Sequence, residues 1–203
     1  MKKSFIILIL TILISGCVTP QPKNISNVCE IFKEREDWWD DANDMNDRWG
    51  TPIHVVMAMM YQESSFKADA APPMEYFLGF IPIGRASSAY GYSQAKTVTW
   101  DEYVKESGNS WSSRSDFEDA IDFMGWYTAK TNRLNKVSKW DAKNQYLNYH
   151  EGWGGYKRKT YRKKAWLVRV ANKVDSRAKR YATQLRGCED YLNSSWLWRL
   201  MFY

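Results

Sequence analysis

The chain has 203 residues, a formal net charge of +6 and 16% aromatic side chains. This length fits a single domain of ordinary size and excludes a peptide too short to bury a hydrophobic core. Its 11 tryptophans and 13 tyrosines can fill that core or line a site for a sugar or a protein partner, so their number alone does not decide the function.

The N-terminal segment predicts export and lipidation. Residues 1–16 contain two lysines, an apolar run from Phe5 to Ile14 and small residues before Cys17. This is the pattern of a secretory signal peptide, and its apolar run is short for a membrane span. The Ile-Ser-Gly-Cys ending resembles the lipobox of bacterial lipoproteins, which implies lipid on Cys17. Val18 rather than Asp after that cysteine favours the outer membrane, facing the periplasm. An ordinary signal peptide or anchor helix with an incidental cysteine is the alternative.

The rest of the chain divides into three segments. Residues 17–28 are polar, contain two prolines and predict a tether to a folded domain of residues 29–190. The last segment, residues 191–203, ends in eight mostly apolar residues, too few to span a bilayer. That tail can pack on the domain, contact the membrane or bind a partner.

Two cysteines lie near the ends of the folded domain. In an oxidising periplasm, we predict a disulfide between Cys29 and Cys188 that links the terminal segments of the domain covalently. Two buried thiols are the alternative.

Charge is distributed unevenly along the chain. Residues 30–47, within a segment predicted to be helical, hold eight acidic side chains against two basic ones, whereas residues 157–180 hold eleven basic side chains against one acidic residue. Both runs are typical of solvated helix faces. The basic run is also compatible with attraction to anionic lipid or to an acidic polymer. Nucleic acid is not a predicted partner, because a periplasmic lipoprotein rarely meets it.

The clearest predicted helix begins near Thr51, a good N-cap residue, with Pro52 in the first helical position. Apolar residues follow at helical spacing and form one stripe: Ile53, Val56, Met57 and Met60. Glu63 continues this stripe, so its side chain is predicted to point towards the core. A surface carboxylate that caps the helix end is the alternative.

The remaining elements are mostly helical. Residues 70–94 are rich in turn-forming residues, with a short β-hairpin predicted near residues 77–83. Further helices are predicted over these ranges: 95–104, 115–136, 140–150 and 160–186. The predicted fold class is therefore mainly α.

Three short motifs occur in order: Glu63-Ser64, then Gly91 and Gln94 in a Gly-x-x-Gln spacing, then Tyr149 before a glycine-rich turn. Together they resemble the soluble lytic transglycosylase (SLT) domain, which has a lysozyme-like fold. The resemblance covers about residues 45–155. The chain departs from the family pattern where Tyr92-Ser93 replaces Leu-Met and where His150-Glu151 replaces Asn-Ala.

The resemblance implies a role for each matching residue. Glu63 is the catalytic acid and base, and Ser64 supports the substrate or intermediate. Gln94, with Gly91 in the same motif, contacts the substrate, and the Tyr149 hydroxyl orients the glutamate.

Further sugar contacts are predicted near the third motif. Glu151 lies beside Tyr149, and Trp153 lies in the glycine-rich turn that follows. Trp153 is the best candidate for an aromatic side chain in the cleft. Core packing is the alternative for it and for three other aromatic residues: Trp100, Trp126 and Tyr156.

The chemistry that this family performs needs one carboxylic acid. Protonating a glycosidic oxygen near neutral pH requires a pKa above the ordinary value, which an apolar environment provides. The resemblance implies cleavage of the MurNAc–GlcNAc β-1,4 bond of peptidoglycan without water, giving 1,6-anhydro-MurNAc ends. A hydrolytic muramidase would need a second carboxylate, for which Asp69, Asp101 and Glu151 are the weak candidates. A non-catalytic lipoprotein that binds glycan or a partner is the other alternative.

Neither a metal nor another cofactor is predicted. His54 is interpreted as a structural residue in the first turn of its helix, and His150 as a residue that can point into the cleft. Two isolated histidines without suitably spaced Cys or carboxylate residues make a poor metal site. The expected partners are peptidoglycan strands and, through Cys17, a membrane, and the protein is predicted to be a monomer.

Overall fold

A computed structural model describes residues 19–194. Its elements, in chain order, are α1 (Val28–Glu34), α2 (Glu36–Trp49), α3 (Ile53–Ser64), β1 (Met74–Phe77), β2 (Ile81–Arg85), α4 (Thr97–Ser107), α5 (Phe117–Asn135), α6 (Ala142–Lys157), a 3₁₀ turn (Thr160–Lys163), α7 (Ala165–Arg186) and α8 (Glu189–Asn193). The predicted mainly α, lysozyme-like class with one small antiparallel hairpin is confirmed. The predicted signal peptide, Cys17 and the apolar tail after Ser194 lie outside the described residues.

Helix α3 runs through the middle of the domain. It packs against α2, α5, α6 and α7, and every residue from Val55 to Met60 is fully buried. The predicted single apolar stripe therefore understates the burial of α3. This part of the helix is apolar on every side, and such a helix is enclosed by protein on every side. Glu63 follows this buried stretch in the last turn of the helix.

The start of α3 differs from the prediction. The helix begins at Ile53, and Pro52 has the extended conformation of the N-cap residue. Thr51 does not cap it, since its hydroxyl lies 2.7 Å from the hydroxyl of Thr128 in the core. The hydroxyl that the sequence suggested as a cap instead joins α3 to α5.

The predicted tether is wrong from residue 19 onwards. The Gln21 side chain donates a hydrogen bond to the Ser65 carbonyl at 2.6 Å, and Arg35 donates to the Pro20 carbonyl at 2.8 Å. Further along, the Tyr181 hydroxyl donates to the Ile25 carbonyl. Residues 19–27 are thus bound to the folded domain, because they both donate hydrogen bonds to it and accept hydrogen bonds from it.

The two ends of the domain are also linked covalently. Cys29 and Cys188 form a disulfide, with their Cα atoms 6.1 Å apart and a separation of 159 positions in the sequence. Such a link constrains the unfolded chain and stabilises the fold by about 2–5 kcal/mol. Among residues 19–194, no helix is long and apolar enough to cross a membrane.

Candidate active site

A cleft of about 410 Å³ lies beside the C-terminal end of α3. It is bounded by α3, α5, α6 and the segment that enters α4. The residues that line it are Glu63, Ala89, Gln94, Ala95, Lys96, Thr99, Phe123, Tyr127, Tyr149, His150, Glu151 and Gly152. Four of the predicted site residues are among them: Glu63, Gln94, Tyr149 and Glu151.

Glu63 is a partly buried acid at the wall of this cleft. Burial raises its pKa to about 7, and a hydrogen bond with the Tyr146 side chain partly opposes that rise. The cause is desolvation, which disfavours the charged carboxylate at the end of an enclosed apolar helix. At neutral pH, Glu63 therefore exists in both protonation states and can donate as well as accept a proton.

The tyrosine that pairs with Glu63 is not the predicted one. Tyr146 makes the hydrogen bond, whereas the Tyr149 hydroxyl donates to the Ser93 carbonyl at 2.5 Å. Burial and the neighbouring Glu63 raise the pKa of Tyr146, so its hydroxyl stays protonated and can donate to the carboxylate. Both tyrosines lie on α6 three residues apart and share one helix face, and Tyr149 is also close enough to Glu63 to interact with its charge.

Replacing Tyr146 by Phe is expected to shift the pH profile of activity. The hydrogen bond from Tyr146 favours the charged form of Glu63. When that bond is lost, the pKa of Glu63 should rise above about 7. The alkaline limb of the plot of kcat/KM against pH should therefore move to higher pH. Tyr149→Phe is the matched control: it should lower the melting temperature through the lost bond to Ser93 and leave that limb in place. If the alkaline limb shifted in Tyr149→Phe but not in Tyr146→Phe, the assignment of the hydrogen bond to Tyr146 would be contradicted.

Gln94 lines the cleft, but its amide nitrogen is used by the protein. It donates to the Ala70 carbonyl at 2.7 Å and to the Gly91 carbonyl at 2.9 Å. Gly91 is absent from the cleft wall and has a structural role. Its φ is +73°, and a Cβ there would lie 1.9 Å from the carbonyl oxygen of Arg114, so only glycine fits this turn.

Ser64 and Trp153 do not line the cleft. The Ser64 hydroxyl accepts a hydrogen bond from the Phe66 amide at 3.1 Å, and its side chain does not line the cleft. Trp153 stacks on Tyr127, with ring centroids 4.6 Å apart, and its indole nitrogen donates to Thr131. The predicted cleft aromatic thus packs behind the cleft wall. Trp100, Trp126 and Tyr156 are likewise absent from that wall.

Glu151 lies in the cleft as an ion-paired carboxylate. Burial favours its neutral form, but hydrogen bonds from Lys164, Thr160 and His150 outweigh that effect and lower its pKa to about 2. The Lys164 ammonium lies 2.7 Å and the His150 ring 3.0 Å from the carboxylate, whose side chain is only 3% exposed. Glu151 is therefore charged at any physiological pH and ties α6 to the segment that starts α7.

Two cleft residues, Phe123 and Tyr127, were not predicted as site residues. They lie four residues apart on α5 and present one apolar face to the cleft. Their helical spacing in the sequence indicates that they share an apolar face. It does not show whether that face lines a cleft or packs in the core.

The other polar candidates from the sequence are not in the cleft. Asp69 and Asp101 are exposed and do not line it. His54 lies in the first turn of α3, with its ring 5.4 Å from that of Trp140. Within residues 19–194, no three His, Cys, Asp or Glu side chains lie close enough together to hold a metal ion.

Comparison with known proteins connects this cleft to a family. A family model described as the transglycosylase SLT domain matches residues 5–188 of the chain. No match was found among curated proteins.

Proposed function

Because the chain belongs to the transglycosylase SLT domain family, whose members act on the glycan strands of peptidoglycan, we propose that it is a lytic transglycosylase with Glu63 as its acid and base. The substrate bond is the β-1,4 linkage between MurNAc and GlcNAc. The observation that carries the proposal is one partly buried carboxylic acid, with a pKa raised to about 7, in the wall of an open cleft.

The proposed reaction uses Glu63 twice. The neutral carboxylic acid first protonates the glycosidic oxygen, and the bond from that oxygen to C1 of MurNAc breaks. The resulting carboxylate then takes the proton of the C6 hydroxyl of the same MurNAc, whose oxygen bonds to C1. Glu63 regains its proton, and the products are a GlcNAc hydroxyl and a 1,6-anhydro-MurNAc end. A pKa near neutrality suits both steps, since each needs a different protonation state.

The surroundings of Glu151 favour this route over hydrolysis. A hydrolase of this type needs a second carboxylate that acts as a nucleophile or activates water. The only other carboxylate among the described residues of the cleft wall is Glu151, which already accepts hydrogen bonds from Lys164, Thr160 and His150. A carboxylate held in this way is a weak base and a weak nucleophile, because its low pKa reflects a stabilised charge.

The test is a digest of purified sacculi in water enriched in ¹⁸O. We expect MurNAc ends lighter than hydrolysed ends by one water, with no ¹⁸O incorporated. A hydrolytic muramidase treated in parallel should give reducing ends that carry the label. Labelled reducing ends from this protein would overturn the transglycosylase proposal in favour of hydrolysis. Absence of any cleaved glycan, with the fold intact by circular dichroism, would support a non-catalytic binding protein instead.

We also propose that the protein is anchored to the outer membrane by lipid on Cys17, facing the periplasm. The support is the apolar run from Phe5 to Ile14 followed by Ile-Ser-Gly-Cys. Anchoring would hold the cleft near its insoluble substrate.

A further inference from the structure

The β-hairpin formed by β1 and β2 is apolar and exposed to an unusual degree. All nine strand residues are exposed, and Leu78 and Phe80 at the turn are each 70% exposed. Its other exposed apolar side chains are Met74, Tyr76, Phe77, Ile81 and Ile83. No charged residue occurs from residue 76 to residue 84, whereas Glu75 on β1 and Arg85 on β2 lie at the base of the hairpin. The hairpin thus has a polar base and an apolar tip.

Such a hairpin is not explained by the fold alone. A two-stranded hairpin is marginally stable in water unless one face packs on something, yet neither strand here has a buried residue. Contiguous exposed apolar surface of this kind marks a place where a protein contacts a membrane or a partner.

The N-terminal end of the described chain lies beside the base of the hairpin. A hydrogen bond joins the side chains of Thr19 and Tyr92. The residue before Tyr92, Gly91, donates its amide to the Ala70 carbonyl at 2.8 Å. Ala70 precedes β1 by only four residues. The chain that arrives from Cys17 and the hairpin therefore meet the domain at the same place.

Little chain separates this place from Cys17. Two residues of extended chain span at most about 7 Å, so lipid on Cys17 would hold a bilayer close to Thr19. The six steps of extended chain from Pro72 to Leu78 span about 20 Å, so the hairpin is long enough to reach that surface. Because residues 19–27 are bound to the domain, no long tether separates the hairpin from the membrane.

We propose that the tip of this hairpin, residues 76–84, inserts into the interface of the bilayer that holds Cys17. Aromatic and aliphatic side chains at the tip would enter the boundary between headgroups and acyl chains, and Glu75 and Arg85 would remain among the headgroups. A lipid chain and the hairpin would then be two membrane contacts at one end of the domain, which fixes its orientation. This inference rests on the proposed lipid anchor and not on the proposed chemistry of Glu63.

The experiment places a polarity-sensitive fluorophore on the tip. The full chain is purified from bacterial membranes, reconstituted in phosphatidylethanolamine–phosphatidylglycerol vesicles and labelled with nitrobenzoxadiazole at the thiol of a Leu78→Cys variant. Cys29 and Cys188 are paired in a disulfide. The unsubstituted chain is labelled in parallel, so any thiol free at Cys17 is detected and its signal subtracted. A free thiol there would show that the lipid anchor fails, separately from the fate of the hairpin.

Leu134→Cys is the matched control. Leu134 is also an exposed leucine, at 54%, but it lies near the opposite end of α5 from Phe117, whose ring packs against Tyr92. Leu134 is seventeen helical positions from Phe117, which corresponds to about 25 Å along the helix axis. The control therefore has the same side chain on a surface remote from the hairpin base.

We expect the fluorophore at residue 78 to emit at shorter wavelength and to lose about half of its intensity or more when nitroxide-labelled lipid is present. The fluorophore at residue 134 should do neither. Equal quenching at both positions would overturn the proposal, as would water-like emission at residue 78. Emission at short wavelength without quenching would also overturn it, because protein, such as residues 195–203 of this chain, would then cover the hairpin.

Discussion

Replacing Glu63 by Gln is expected to lower the rate of glycan cleavage by about 10²–10⁴-fold or more, the usual contribution of a general acid and base. The amide has nearly the same shape and fills the same space beside Tyr146, but it neither donates an acidic proton nor accepts one. Binding of glycan should change far less than turnover. The measurement is the initial rate of release of soluble muropeptides from sacculi, with retention on sacculi measured in the same samples.

Asp69→Asn is the matched control for this change. It also converts a carboxylate to an amide, but Asp69 is exposed and lies outside the cleft wall, so the rate should stay within about twofold of the original. The activity of the unsubstituted protein should fall as the pH rises through about 7, since the protonated acid is lost there. Activity retained by Glu63→Gln would remove Glu63 from the role proposed for it.

The position of Glu63 could be predicted because two independent features of the sequence agree. Helical spacing places it on the stripe of Val56 and Met60, and the motif order places it first among the site residues. The hairpin and the main helices were predicted for similar reasons, since breakers and apolar periodicity are local properties. The confirmed fold class therefore follows from local pattern.

The errors concern contacts between elements that are distant in the chain. Tyr146 and Tyr149 occupy one face of α6, and only the packing of α6 against α3 decides which hydroxyl meets Glu63. Trp153 follows a glycine, as a cleft residue would, but it stacks on Tyr127 of α5 and packs against the core. Residues 19–27 read as a tether because their partners, such as Ser65 and Tyr181, lie far along the chain. Local composition carries no information about such partners.

The Glu63→Gln variant is also expected to be more stable than the unsubstituted protein at alkaline pH, by about 3 kcal/mol in free energy of unfolding at pH 8. The pKa of Glu63 is about 7 in the folded protein against an ordinary value of 4.5, and each unit of difference corresponds to about 1.36 kcal/mol. Well below pH 4.5, the group is neutral in both states and costs nothing. As the pH rises, the unfolded chain ionises first, so stability is lost until the folded group ionises near pH 7.

Urea unfolding of both proteins at pH 4.5 and pH 8 measures this difference. Asp41, whose pKa burial and nearby acidic residues also raise to about 7, is present in both proteins, so its own pH dependence cancels in the comparison. An equal free energy of unfolding for the two proteins at pH 8 would show that the folded environment does not disfavour the Glu63 charge. The cleft would then lack the property that makes Glu63 an acid near neutral pH, because the loss of stability and the raised pKa are one free energy measured in two ways.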